Sequence, residues 1–237
     1  LNSHCNKIYI ITQFLSTSLH QHITKTYRMD PFSSGFIEIL TAEQKPNASQ
    51  WYRGTADAVR QNIDYFFETP AEYFLILSGD QLYTMNYEHM LKVAISTEAD
   101  VVIGTIPIDE QHAKRMGIIK VNQDDIVTDF VEKPQDKAII ERFAAPRSVL
   151  ERGNVKGDSD RKYLGSMGIY LFKREALLDI LIQDPRDDFG MHLIPSLVKK
   201  GNIAAYLHND YWEDIGTIES FFKANIELTK MKPEFNC

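Results

Sequence analysis

Strand-like and helix-like stretches alternate from the first residues of this chain, and no other feature restricts its possible folds so strongly. Residues 7–13 (KIYIITQ) read as a strand, and 16–27 as a helix with Ser16 at its cap. A strand over 36–41 leads into the polar loop EQKPNASQ. "GTADAVRQNIDYFFE" then offers Thr55 as a cap and an apolar helix face of Ala58, Val59, Ile63, Phe66 and Phe67. Tyr73 to Leu77, apolar and bounded by turn residues, fits a fully buried strand. A helix over 87–98 capped by Asn86 and a strand over 100–106 follow. This succession predicts βαβ units and a mainly parallel sheet.

The middle of the chain departs from that rhythm. "GIIKV" and "IVTDFVEKP" flank Asp124-Asp125 and predict a hairpin, and the polar residues 144–161 predict an exposed loop. A strand (163–172), a helix (174–183), a helix ended by Gly201, a strand (203–208) and a helix (218–229) capped by Thr217 complete the pattern. No internal repeat or low-complexity tract is present. The expected class is α/β: a Rossmann-like, mixed, mainly parallel sheet with an inserted antiparallel portion. With 237 residues, 43% of them hydrophobic, the chain can bury a substantial core.

Charge and cysteine usage exclude several classes of function. A net charge of −7 gives no electrostatic case for nucleic-acid binding. Cys5 and Cys237 cannot build a disulfide framework, no Cys/His cluster has zinc spacing, and a reducing compartment is expected. No apolar stretch approaches the ~20 residues of a membrane helix, and no signal peptide is visible.

Open α/β sheets bind ligands beyond the carboxyl ends of their strands, so polar strand ends are where chemistry is expected. "LSGD" delivers Asp80 after a buried run and a glycine, and "YWEDIGT" delivers Asp214 shortly before the last helix. Either acid alone reads equally well as a turn or cap residue. Brought to one cleft, two carboxylates repel by about 3 kcal/mol at ~5 Å in an effective dielectric of 20. A divalent cation removes that cost, and Mg²⁺ takes one or two carboxylates plus substrate phosphates. Lys133, locked between Glu132 and Pro134, could hold a sugar phosphate while Glu132 accepts hydrogen bonds from sugar hydroxyls; most lysines are simply solvated. Gly54 and Thr55 open a helix, a weak sign of close ligand approach. Trp51 and Tyr52 read as packing residues, and His20 and His22, two apart on a helix, as surface residues.

"WYRGTADAVRQN", "LILSGDQLYTMNY", "FVEKP", "SMGIYLF", "DFG…IP" and "DYWEDIGTIESFFKANIEL" resemble, in order and spacing, the glucose-1-phosphate adenylyltransferases (ADP-glucose pyrophosphorylases). The resemblance covers nearly the whole chain. It implies a nucleotide-diphospho-sugar transferase fold and the reaction of ATP with glucose 1-phosphate to ADP-glucose and pyrophosphate, toward glycogen or starch. It implies Asp80 and Asp214 as Mg²⁺ ligands, with Lys133 also catalytic. It places Tyr52, Gly117, Glu132, Lys133, Ser166 and Trp212 at glucose 1-phosphate, and Gly54 and Thr55 near the adenine. A homotetrameric full-length enzyme, without membrane or nucleic-acid partners, is expected in the cytoplasm, or in a plastid if the source is a plant.

Departures from the family pattern are equally specific. The family's amino-terminal G-x-G-T-R-L loop and following lysine are missing, and no Gly-Gly pair occurs. The family's carboxy-terminal left-handed β-helix is missing as well. Residues 1–237 are thus expected to be a catalytic domain lacking both parts, inactive by itself. His192 stands where relatives carry an acid. Two alternatives stay open: a non-catalytic regulatory subunit of the same enzyme, or a nucleotidyltransferase for another sugar phosphate.

Overall fold

A computed structural model describes residues 5–29, 32, 35–42, 51–153, 155, 159–233 and 235. In chain order the elements are β1 (Lys7–Thr12), α1 (Thr17–Thr26), β2 (Phe36–Thr41), α2 (Thr55–Gln61), α3 (Ile63–Glu68), β3 (Tyr73–Ile76), β4 (Gln81–Tyr83) and α4 (Tyr87–Thr97). β5 (Val101–Ile108), α5 (Glu110–Ala113), β6 (Gly117–Val121), β7 (Val127–Glu132), α6 (Lys137–Glu141), α7 (Arg147–Arg152), β8 (Tyr163–Lys173) and α8 (Arg174–Gln183) follow. A π-helical segment (Phe189–Leu193), α9 (Ile194–Lys200), β9 (Ile203–Leu207), β10 (Trp212–Asp214) and α10 (Ile218–Leu228) end the chain. Two compact units result: Leu1–Ala71 with Leu177–Leu193, and Glu72–Ala176 with Ile194–Cys237.

In the first unit β1 and β2 pair in parallel, Lys7 opposite Phe36 through Thr12 opposite Thr41. Tyr9 anchors its aromatic core: its ring lies 5.0 Å from Phe36, 5.8 Å from Tyr65 and 5.6 Å from Phe66, and its hydroxyl shares a 2.9 Å hydrogen bond with Thr69. Offset and edge-on contacts of this kind add about 0.5–1.5 kcal/mol each beyond area burial. The single helix expected over residues 55–68 is broken at Asn62, whose amide donates to the Ala58 carbonyl (2.8 Å) and the Tyr52 hydroxyl (3.0 Å). The break changes the helical phase, so Val59 and Phe66 are buried whereas Phe67, expected inside, is 47% exposed. Ser16 makes no side-chain cap, because its own backbone is already helical (φ −79°, ψ −9°). His20 is less superficial than expected: its Nε2 lies 2.9 Å from the buried Thr12 hydroxyl. The loop 43–50 lies outside the described residues.

The second unit is organised by β8. One edge of β8 pairs antiparallel with β5; the other pairs with β6 near its start and with β3 near its end. β9 adds in parallel to β5, and β7 adds antiparallel to β6. The sheet is mixed and mainly parallel in direction: β3, β5, β6 and β9 run one way, β7 and β8 the other. The expected hairpin is therefore present, with Asp125 at φ 60° in its turn. Met90, Ala94, Val102, Met167, Ile169 and Ala204 form a buried core between α4 and the sheet, and burying a side chain as large as Met or Ile contributes about 1.5–3 kcal/mol. Asn86 caps α4 by accepting from Glu88 N–H (3.0 Å), and Thr217 with Ser220 forms a capping box on α10.

Two expectations fail in this unit. Tyr73 to Leu77 is not fully buried: only Phe74 is, and Leu77 is 43% exposed, since β3 ladders only to β8 among the described strands. The stretch 144–161 holds α7, which buries Val149 and Leu150. Two three-residue strands, β4 and β10, have no counterpart in the sequence reading.

The His208 side chain, 1% exposed just past β9, places its Nε2 3.4 Å from the Tyr211 carbonyl, a weak contact. Burial pushes its pKa below the usual 6.5, partly opposed by that carbonyl and by Asp210. The folded state thus resists a proton that the unfolded chain accepts. This contribution to stability is present above the unfolded value and is lost as pH falls below it toward the folded pKa. The thermal midpoint is expected to drop between pH 7 and pH 5, and less steeply in His208→Gln; equal slopes in scanning calorimetry would remove His208 as the cause.

Candidate functional site

β3 ends at Ile76, and the chain passes through Ser78 and Gly79 to Asp80 before entering β4. β4 pairs antiparallel with β10, Gln81 opposite Asp214 and Tyr83 opposite Trp212. The Ile215 N–H extends this ladder by donating to the Asp80 carbonyl (3.0 Å). A three-residue ribbon thereby brings together two acids that are 134 positions apart in sequence, by subtracting 80 from 214.

Their side chains converge over Gly216. A Cβ placed there would start 3.0 Å from Asp214 Oδ1 and 3.8 Å from Asp80 Oδ2. The Gly216 N–H donates to Asp214 Oδ1 (3.0 Å), and the Ser78 hydroxyl donates to Asp80 Oδ1. Both acids are exposed, so solvent reaches the space between them. Two solvent-facing carboxylates over a bare glycine suit a small oxygen-seeking dication such as Mg²⁺. Among the described residues no group of three or more His, Cys, Asp or Glu converges. An ion held by this pair would complete its shell with water and substrate oxygens.

Glu132 and Lys133 close β7. Gly117, opposite Glu132 in the β6–β7 register, leaves room for the carboxylate: a Cβ there would lie 2.5 Å from Glu132 Oε2 and 2.6 Å from Phe130 Cζ. Gly117 therefore acts through what it omits. Gly117→Ala is expected to cost about 1–3 kcal/mol, the usual range for overpacking, as a lower urea midpoint with unchanged slope. An unchanged midpoint would show that the Phe130 ring and Glu132 can yield freely. Lys133 has φ 45°, a left-handed backbone that a non-glycine residue adopts at a cost of about 1–3 kcal/mol. Its N–H bonds to the Met116 carbonyl (3.1 Å), and its own carbonyl accepts from the Gln135 amide (2.9 Å). The Lys133 side chain is 61% exposed, with Nζ 3.6 Å from Glu132 Oε1.

Ser166 and Trp212 are placed differently from each other. Ser166 is 9% exposed in β8 opposite Thr105, with its hydroxyl 3.5 Å from the Tyr170 hydroxyl and 3.4 Å from the Gly168 N–H. Trp212 packs against the Met90–Ala204 core, and its indole N–H donates to Gln81 Oε1 (3.3 Å).

Tyr52, Gly54 and Thr55 belong to the first unit. Tyr52 N–H donates to Gln13 Oε1 (2.5 Å), and its hydroxyl accepts from Asn62. Gly54, not Thr55, occupies the cap position of α2, and a Cβ on it would lie 2.4 Å from the Asp187 carbonyl oxygen. That carbonyl takes the N–H groups of Ala56 (2.9 Å) and Asp57 (3.0 Å). Thr55 Oγ1 accepts from Phe189 N–H (3.1 Å) and lies 3.2 Å from Asp188 Oδ2. Trp51 is 56% exposed and stacks near Phe14 at 4.7 Å.

Sequence reasoning passed over Ser78, Gln81 and Gly216. Each sits within two positions of an acid that was singled out, and that adjacency is the only signal the sequence offers.

A nucleotidyl transferase family profile matches residues 1–231. The crystal structure of HddC from Yersinia pseudotuberculosis has a similar fold, with a TM-score of 0.64 over 96% of this chain and 81% of that chain, at 16% sequence identity.

Proposed function

The chain belongs to the nucleotidyl transferase family, and we propose that it transfers the adenylyl group of ATP to glucose 1-phosphate, giving ADP-glucose and pyrophosphate. Convergence of Asp80 and Asp214 over Gly216 is the observation that carries this reading. The choice of ATP and glucose rests on the resemblance of "WYRGTADAV" and "YWEDIGT" to the adenylyltransferases.

Asp80 and Asp214 would hold Mg²⁺. The ion, when bound, offsets negative charge gathering on the triphosphate. Lys133, whose exposed ammonium has only Glu132 as a carboxylate partner within 4.0 Å among the described residues, meets the phosphate of the sugar substrate. Glu132 accepts hydrogen bonds from sugar hydroxyls. An oxygen of the sugar phosphate displaces pyrophosphate at the α-phosphorus, and the chain's part is to hold the reactants in line. Product synthesis by the full-length protein should be compared across ATP, UTP, GTP and dTTP with glucose, mannose and N-acetylglucosamine 1-phosphates. ATP with glucose 1-phosphate is expected to give the highest kcat/KM; a preference for any other pair would overturn the substrate assignment.

A further inference from the structure

Between the pairs Ile103–Tyr170 and Thr105–Ser166, three residues of β8, Met167 to Ile169, face the single residue Gly104 of β5. Gly168 supplies the φ of +69° that this bulge requires. On the other edge of β8, the β6 ladder reaches Gly165 and the β3 ladder begins at Tyr170. Met167 and Gly168 thus lie outside every regular register of the sheet, at a point where this second edge of β8 has no strand beside it among the described pairings.

The side chain of Gln81 occupies this irregularity. Its Nε2 donates to the Met167 carbonyl, and its Oε1 accepts from the Trp212 indole at 3.3 Å. Its backbone lies opposite Asp214 and directly follows Asp80. One amide therefore ties β4, which follows Asp80, and β10, which carries Asp214, to the bulge of the main sheet. A primary amide meets both demands at once: a carboxylate cannot donate to the Met167 carbonyl, and an apolar side chain satisfies neither partner.

We propose that Gln81 is a positioning residue whose amide, held between the Met167 carbonyl and the Trp212 indole, fixes β4 against β10 so that Asp80 and Asp214 address one cation. A three-residue ribbon has too few ladder bonds to hold two repelling carboxylates in register unaided. Outer-shell partners of this sort orient the groups that touch a metal. The inference rests on the reading of Asp80 and Asp214 as a metal pair.

Mn²⁺ binding, followed by electron paramagnetic resonance on the purified protein without substrates, separates the two ideas. Asp80→Asn should weaken Mn²⁺ binding, and Gln81→Met should weaken it about tenfold, the lower end of what losing an outer-shell partner costs. In the Asp80→Asn background Gln81→Met should add nothing further, because its effect passes through that carboxylate; a general loss of structure would add to it. If Asp80→Asn binds Mn²⁺ as the unmodified protein does, the metal pair itself is wrong. If Asp80→Asn weakens binding and Gln81→Met does not, or if the two losses add, the positioning role alone is overturned. Should Gln81→Met fail to fold, Trp212→Phe keeps the aromatic packing and leaves Oε1 unheld; weaker Mn²⁺ binding then supports the proposal, and unchanged binding overturns it.

Discussion

In the full-length protein, Asp80→Asn is expected to lower kcat by about 10²–10³-fold, the loss seen when one preorganised charge-stabilising group is removed, while the KM for glucose 1-phosphate changes little. Asparagine keeps the size of the side chain and an oxygen that can accept from the Ser78 hydroxyl, so the turn before β4 stays intact. What disappears is one of the two negative charges over Gly216. A loss confined to kcat identifies an interaction realised in the transition state rather than in substrate binding. Raising Mg²⁺ should restore part of the rate, because the remaining Asp214 still offers one ligand. Near-normal turnover at limiting Mg²⁺ would end the assignment of Asp80.

The sequence shows Asp80 and Asp214 but not the device that unites them. β4 and β10 are three residues long, too short for any hydrophobic period, and their pairing spans most of the chain. Local chemistry was legible at several positions where one residue decides the outcome, though not at Ser16, whose helical backbone forgoes the cap. Asn86 and Thr217 are caps because a short polar side chain there reaches an N–H two or three residues on. The Asp124-Asp125 turn follows from the tolerance of Asp for left-handed backbone.

Where a distant group competes, that logic failed. Asn62 breaks the helix at a place where its amide also reaches Tyr52, and the Thr55 hydroxyl engages the Asp188 carboxylate and the Phe189 N–H while Gly54 takes the cap position. α7 escaped notice because only Val149 and Leu150 face inward, too few apolar positions to stand out among charged neighbours. The resemblance supplied function for Gly54 and Gly117, whereas the structure supplies a packing reason for each: the Asp187 carbonyl crowds the Cβ position at Gly54, and the Glu132 carboxylate and Phe130 ring crowd it at Gly117.

Lys133→Ala should raise the KM for glucose 1-phosphate about 10- to 100-fold, because a hydrogen bond to a charged group contributes about 1.5–3 kcal/mol. Alanine removes the ammonium but keeps the strained backbone at φ 45°. Lys133→Gly separates these two effects. Glycine adopts a left-handed conformation without a steric cost, so this variant should unfold at the same or a higher temperature than the unmodified protein while showing the same KM defect as Lys133→Ala. Lys133→Arg restores the charge on a planar, differently shaped head and should recover only part of the affinity. The Glu132 carboxylate 3.6 Å from Nζ complicates the picture in a testable way. Removing the lysine leaves that carboxylate facing the incoming phosphate, so the KM defect of Lys133→Ala should shrink when Glu132→Gln is added. Initial rates with each substrate varied in turn will decide the matter: an unchanged KM for glucose 1-phosphate together with a raised KM for ATP would place Lys133 on the nucleotide instead.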